Sequence, residues 1–294
     1  MLEHLQENSR IIENAIIRIL ADERKCTLSE ILIDAEEYSL LAGGKRIRST
    51  LCLEFYKLFG GKNDISELAA CLELVHTFSL IHDDMPDMDN DDLRRGKPTC
   101  HKQFGNANAL LAGDGLAILP YKIISDKAIK GVISHETANK LMNVLSKASG
   151  NEGMICGQMI DLWGETHEMS MEQILQMYAR KTGALIKASC LFGAILAGAD
   201  KTNLEATEIY AGNIGLSFQL VDDLLNLHSS TEELGKPVGT DEEHGKSTLV
   251  SKIGEDKTKQ IILECKTNAI NSISEYDGSE FLIELVDYLT VRKN

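Results

Sequence analysis

Apolar residues recur along this chain at intervals of three and four, while period-two alternation of β-branched residues is hard to find. Three-and-four spacing gathers side chains on one face of an α-helix. Leu5, Ile12, Ile16, Ile19 and Leu20 mark a first such face. Leu68, Leu72, Val75, Ser79 and Leu80 mark a second, which ends on a run of aspartates. Ile174, Met177, Tyr178, Leu185 and Ile186 continue a third, overlapping a small-residue run from Ala184 to Ala199. Tyr210, Ile214, Phe218 and Val221 belong to a fourth, closed by another acidic pair. The only prolines, at 86, 98, 120 and 237, leave long stretches free to be helical. Glycine and charge clusters at 43–44, 60–61, 96, 105, 113–115 and 235–245 are expected to punctuate the helices. No linker, internal repeat or low-complexity segment interrupts the pattern. It predicts one all-α domain over residues 1–294, with about ten or more helices wrapped around one another rather than around a sheet.

Composition narrows the function without naming it. Hydrophobic residues make up 43% of the chain, enough for a substantial core. With 30 Lys+Arg against 45 Asp+Glu the net charge is −15, which argues against nucleic acid or an anionic membrane surface as partner. A small anion is not excluded, because local cations outweigh net charge at short range. Seven cysteines are scattered with no CxxC pair, so reduced thiols and a cytoplasmic location are expected. Glu3, Glu7 and Glu13 inside an amphipathic pattern are unlike a signal peptide. No apolar run reaches membrane length, so no membrane insertion is expected.

Residues 82–97 carry the strongest chemical signal. Asp83, Asp84, Asp87, Asp89, Asp91 and Asp92 run directly into Arg94, Arg95 and Lys97. So much like charge repels itself unless cations sit among the carboxylates. Carboxylate oxygens suit Mg2+, which keeps waters and shares substrate phosphates, and guanidinium forks suit phosphate oxygens. A solvated acidic loop would explain the segment taken alone. A second acidic site, Gln219 to Asn226, places Asp222 and Asn226 one helical turn apart on one face. It could equally be the polar edge of an amphipathic helix. Two such sites, each ending an apolar helical segment, are what a metal site across a cavity requires. Basic elements fall at Gly43 to Arg48, at Arg94 and Arg95, at Lys181-Thr182-Gly183, and between Gly235 and Thr248. The first is a loop running into a helix, where backbone N–H groups and cations together favour an anion.

Three other motifs fail. Gly239 to Ser247 resembles a phosphate-binding loop, but its spacing is one residue too long and no strand precedes it. Asp87, Asp89 and Asp91 open like a calcium loop, yet the sixth position is Asp92 and the twelfth is Pro98. His76 and His82-Asp83 suggest an all-α phosphohydrolase, for which His4 is the only further upstream histidine.

Taken together these elements resemble the trans-polyprenyl diphosphate synthases, most closely bacterial farnesyl diphosphate synthase, over almost the whole chain. The residues that carry the likeness are Gly43 to Arg48, Leu80 to Pro86, Met88-Asp89, Asp91 to Gly96 and Pro98-Thr99. It continues through Gly157-Gln158, Asp161, Lys181-Thr182-Gly183, Gln219, Asp222-Asp223 and Gly245 to Thr248. The resemblance implies an all-α, usually homodimeric protein with a deep central cavity. It implies head-to-tail condensation of isopentenyl diphosphate with an allylic diphosphate (dimethylallyl or geranyl) to give farnesyl diphosphate. Geranyl or geranylgeranyl diphosphate synthase is the alternative. By motif match Asp83, Asp84, Asp89, Asp222 and Asn226 would hold Mg2+, as three ions, with Mn2+ a possible substitute. Lys181, Thr182, Gln219 and Lys236 would act at the allylic diphosphate, helped by Arg94 and Lys246. Gly44, Lys45, Arg48, His76 and Arg95 would hold isopentenyl diphosphate. Asp87 is a bystander, because Pro86 breaks the face it would share with Asp83.

Two positions depart from the family pattern: Asn226 stands where aspartate is usual, and Ser49 where proline is common. Phe78 and Ser79, five and four residues before Asp83, lie about one turn down the helix, where roughly 5.4 Å of rise approximates an isoprene unit. In the family an aromatic at Phe78 accompanies a C15 product, although the ring could simply pack in the core. A class I terpene cyclase normally carries an Asn/Asp-Ser/Thr-Glu second motif, which Asp222-Asp223 does not match. A non-catalytic subunit would be expected to lose metal aspartates or lysines that this chain keeps.

Overall fold

A computed structural model describes residues 1–228 and 248–291. Its helices are α1 (Leu2–Cys26), α2 (Glu30–Leu40), α3 (Ile47–Leu58), α4 (Ser66–Asp83), α5 (Cys100–Phe104), α6 (Asn106–Ile129) and α7 (His135–Ser149). They continue as α8 (Met154–Gly164), α9 (Met171–Tyr178), a π-helical turn (Ala179–Gly183), α10 (Ala184–Ala197), α11 (Lys201–His228), α12 (Leu249–Ile253), α13 (Glu255–Ile273) and α14 (Glu280–Val291). The all-α expectation holds. The one exception among the described residues is a short antiparallel hairpin of β1 (Leu93–Arg94) and β2 (Lys97–Pro98).

The chain divides into two compact units. One comprises Leu2–Leu53 and Asn63–Met142; the other comprises Met1, Glu54–Lys62 and Asn143–Asn294. In the first, α4 is the central helix. Leu68, Ala69, Ala70, Cys71, Leu72, Leu74 and Val75 are all buried, as is Glu73, so this stretch of α4 is buried on every side rather than along the single predicted stripe. Helix α6 lies along it. The glycines at 113 and 115, expected to break a helix, instead sit inside α6. A Cβ at Gly113 would collide with the His82 imidazole, and one at Gly115 with the Glu36 carboxyl of α2. Both glycines serve close approach, not chain reversal.

In the second unit α10 and α11 pack against each other in antiparallel register. Lys187 pairs with Glu208 at 3.1 Å, and a Cβ at Gly215 would stand 2.9 Å from the Gly183 Cα. Tyr210 is fully buried, edge-on to Phe55 at 5.1 Å, and its hydroxyl donates to the Leu282 carbonyl at 2.9 Å. Such a pair needs that hydrogen bond, since a buried phenol without a partner is costly. Ile174, Met177 and Tyr178 of α9 form a common core with Leu220, Val221, Leu249 and Ile262. No described helix is long and apolar enough to cross a membrane, and all seven cysteines are free thiols.

Candidate active site

Helix α4 delivers the first acidic stretch and stops at Asp83. Beyond it the chain folds back, so that the Asp89 N–H donates to the Asp83 carbonyl at 2.9 Å. That bond brings Asp89, exposed, next to Asp83, half-buried; Asp87 is exposed as well. Asp84 behaves differently. It is 2% exposed, and the Arg94 Nε lies 2.7 Å from both of its carboxylate oxygens, with Nη2 on Oδ1 as well. Motif matching assigns Asp84 to a metal and Arg94 to a diphosphate; the fold brings the two to each other. A carboxylate this deep requires such a partner, because its hydration is gone.

Arg95 and Gly96 turn the hairpin, both with positive φ (53° and 75°), the conformation of a two-residue type I′ turn. A non-glycine residue held there stores roughly 1–3 kcal/mol of strain. Here the turn directs the Arg95 guanidinium onto the Gly43 carbonyl and across the Gly44 backbone. Gly44 holds φ 126°, a conformation that side chains with a Cβ rarely adopt, and a Cβ there would stand 2.9 Å from Arg95 Nη1. Lys45 is exposed and Arg48 half-buried at the start of α3.

Arg46, between them, is a residue whose role sequence reasoning missed. It is 3% exposed with φ 50°, and its guanidinium donates to the Leu40 carbonyl at 2.7 Å. It also reaches Glu13 at 3.3 Å and Glu73 at 3.7 Å. Glu73 in turn accepts the Ser49 N–H at 3.3 Å, a donor that proline at position 49 would lack. Arg46 is thus a brace for the Gly-Gly-Lys loop, with partners too distant in sequence to leave a local signal.

Around His76 the positive charge concentrates. Burial first, and then the charges of Arg48, Arg95, Arg94 and Arg46, hold its imidazole well below the usual histidine range. Burial, followed by Arg46, also lowers the Arg95 guanidinium. A neutral imidazole amid guanidinium charge is a site that gains by taking an anion. Phe78 is 7% exposed with its ring edge-on to His82 at 5.9 Å, and the Ser79 hydroxyl is tied to the His76 carbonyl at 2.9 Å.

The second unit builds its site on the π turn. Helix α9 starts with a capping box, Ser170 and Gln173 bonding each other's backbone N–H at 3.3 and 2.9 Å. It then widens at Ala179–Gly183, an insertion of the kind often found at functional sites. This is the interruption that Lys181-Thr182-Gly183 makes in the apolar pattern. Gly157 of α8 packs directly under the Lys181 backbone, where no Cβ fits. One turn along α8, Asp161 takes the Lys181 ammonium at 2.5 Å. Thr182 donates to the Gln219 side-chain oxygen at 2.9 Å, and Gln219 donates to Asp223 at 3.1 Å. Asp223 is buried, whereas Asp222 is half-buried and Asn226 exposed. Asp161 belonged to the family pattern but had no role assigned. Its spacing of four from Gly157 was the available signal. Lys236 and Lys246 lie outside the described residues.

Among the described residues no three Asp, Glu, His or Cys side chains converge on one point.

The model of the polyprenyl synthetase family matches residues 29–275. Geranylgeranyl pyrophosphate synthases labelled chloroplastic are 40% identical, from Catharanthus roseus over 89% of this chain and 74% of the relative, and from Capsicum annuum over 90% and 72%. An FPP/GFPP synthase from Zymomonas mobilis superposes with TM-score 0.84 at 32% identity, over 99% of this chain and 100% of that one. A putative farnesyl-diphosphate synthase from Marinomonas sp. MED121 gives 0.80 at 36%, over 97% and 98%. The match over residues 29–275 and the 40% identity over most of both chains show that this chain belongs to the polyprenyl synthetase family and is a prenyltransferase.

Proposed function

We propose that the chain condenses isopentenyl diphosphate with an allylic diphosphate, head to tail, and that its product is geranylgeranyl diphosphate. The observation that carries the two-diphosphate reading is the cationic surround of His76, matched in the other unit by Lys181 and Thr182. A single-substrate cyclase has no use for both sets. Lys45, Arg48, His76 and Arg95, with the open Gly44 backbone, hold isopentenyl diphosphate. Lys181, Thr182 and Gln219 hold the allylic diphosphate. Arg94 reaches a diphosphate only by releasing Asp84. Asp83, Asp89 and Asp222 would hold Mg2+, which supplies charge stabilisation to the departing diphosphate. The proton lost after condensation leaves with the diphosphate.

Product length has two supported readings. The names of the curated relatives favour C20, and the Phe78 ring engages His82 as a packing residue would. Phe78 standing five residues before Asp83 favours a C15 stop. Chromatography decides. Wild-type protein given isopentenyl and farnesyl diphosphates is expected to yield C20. Arrest at C15, relieved in Phe78→Ala, would overturn that and install the floor reading.

Asn226 lacks the charge of the usual aspartate, so a metal held with Asp222 binds weakly. Asn226→Asp is expected to lower the half-saturating Mg2+ concentration several-fold, roughly 1 kcal/mol for one added partly exposed charge. An unchanged Mg2+ titration would count against this role.

A homodimer fits the exposed apolar residues Leu110, Leu111 and Ile118 of α6 and Ile155, Met159 and Trp163 of α8. Seven free thiols favour the cytoplasm.

A further inference from the structure

We propose that Tyr178 is the positioning residue of the second acidic site, with Asp223 as its anchor rather than a metal ligand. The proposal rests on the prenyl-transfer reading of this site. Tyr178 and Thr182 stand four residues apart at the end of α9 and in the π turn; Gln219 and Asp223 stand four apart on α11. The two pairs face each other as antiparallel rungs. One rung is Thr182 Oγ1 donating to Gln219 Oε1 at 2.9 Å. The other is the Tyr178 hydroxyl donating to Asp223 Oδ2, and Gln219 Nε2 closes the circuit on Asp223 Oδ1 at 3.1 Å. The same hydroxyl accepts the Leu249 N–H at 3.0 Å. That amide opens α12 and is one of the donors a helix cannot satisfy within itself.

Tyr178 is 3% exposed and Asp223 is 5% exposed, so the bond between them is sealed from water, while Thr182 and Gln219 are half-buried. Both Asp223 oxygens already receive a donor from the protein. Asp222, about 100° further round the helix, is the half-buried member of the pair. Holding Asp223 fixes the rotation of α11 about its own axis, and that rotation sets where Asp222 lies relative to Thr182. One hydroxyl therefore joins the turn carrying Lys181, the helix carrying Asp222 and the first turn of α12.

The test is Tyr178→Phe, read by calorimetry of inorganic pyrophosphate in the presence of Mg2+ and by hydrogen exchange at Leu249. Mg2+-dependent pyrophosphate affinity is expected to fall about tenfold, as for loss of a partner that orients a metal ligand. The Leu249 amide is expected to exchange faster than in wild type. Asp223→Asn supplies a second reading: the Gln219 amide can turn to match the new amide, so most of the affinity is kept. Asp222→Asn should lose more than about tenfold. Wild-type affinity in Tyr178→Phe, or equal losses in Asp223→Asn and Asp222→Asn, would overturn the proposal. Should Tyr178→Phe not fold, the two asparagine variants decide alone. If wild-type protein binds pyrophosphate yet turns over no isopentenyl diphosphate, the functional reading fails while the binding comparison still judges Tyr178.

Discussion

Asp83→Ala is expected to lower kcat/KM at least about 10³-fold, some 4 kcal/mol of transition-state stabilisation, and to leave the melting temperature unchanged or raised. Its neighbour should behave in the opposite manner. Asp84→Ala is expected to cost about 3–5 kcal/mol of stability, because it strands the Arg94 guanidinium in a partly buried position. The contrast follows from where the two side chains go. Asp83 is half-buried and its backbone carbonyl is engaged by Asp89. Truncating its carboxylate leaves that backbone hydrogen bond in place. Asp84 is sealed under Arg94. Thermal denaturation beside steady-state kinetics distinguishes them. A double variant, Asp84→Leu with Arg94→Met, should recover much of the lost stability, since removing both charges relieves the unpaired one. Equal melting temperatures for Asp83→Ala and Asp84→Ala would show that the Asp84–Arg94 pair does not hold the loop.

Gly157→Ala is expected to lower kcat about 10²-fold and to destabilise the protein by about 1–3 kcal/mol. The added Cβ would enter the space occupied by the Lys181 backbone in the π turn. Backbone cannot rotate out of the way as a flexible side chain can, so α8 or the turn must shift. A shift of about 1 Å is enough to misplace a catalytic contact by two orders of magnitude in rate. The 2.5 Å Lys181–Asp161 pair links the same two elements and would be lost with it. Gly212→Ala is the control. Gly212 lies on α11 with open space where a methyl group would go, and removing a helical glycine there should stabilise by roughly 0.5–1 kcal/mol. If both variants retain wild-type kcat, close packing under the π turn does not position Lys181.

The helical faces were legible because their periodicity is a local property of the chain. Leu5, Ile12, Ile16, Ile19 and Leu20 are all buried, as are Ile174, Met177, Tyr178, Leu185 and Ile186. Phe218 is only half-buried on the face it shares with Tyr210 and Ile214. What periodicity could not reveal was how many neighbours each helix would have. The stripe on α4 became a helix buried all round because α1, α2 and α6 all lie against it. Gly113 and Gly115 looked like breaks because glycine's backbone freedom is visible in sequence, whereas the side chains that need its missing Cβ are not.

For the site, the residue types were readable from the chain alone: the carboxylates at 83, 84, 89 and 222, the lysine and threonine at 181 and 182, and the cations near 45 and 95. The family was readable too, since ordered motifs over most of a chain survive any uncertainty about packing. Which of those residues pair with one another came from folding. It set Asp84 against Arg94, buried Arg46 between Leu40, Glu13 and Glu73, and closed Asp223 under Tyr178. Each is a pairing that local periodicity does not encode, and each exists because a charge taken out of water must find a partner. Neighbouring aspartates of identical chemistry, 83 beside 84 and 222 beside 223, thereby end in different surroundings, 84 and 223 buried and 83 and 222 half-buried. Which of them faces solvent depends on helix rotation, and rotation is set by the surrounding packing.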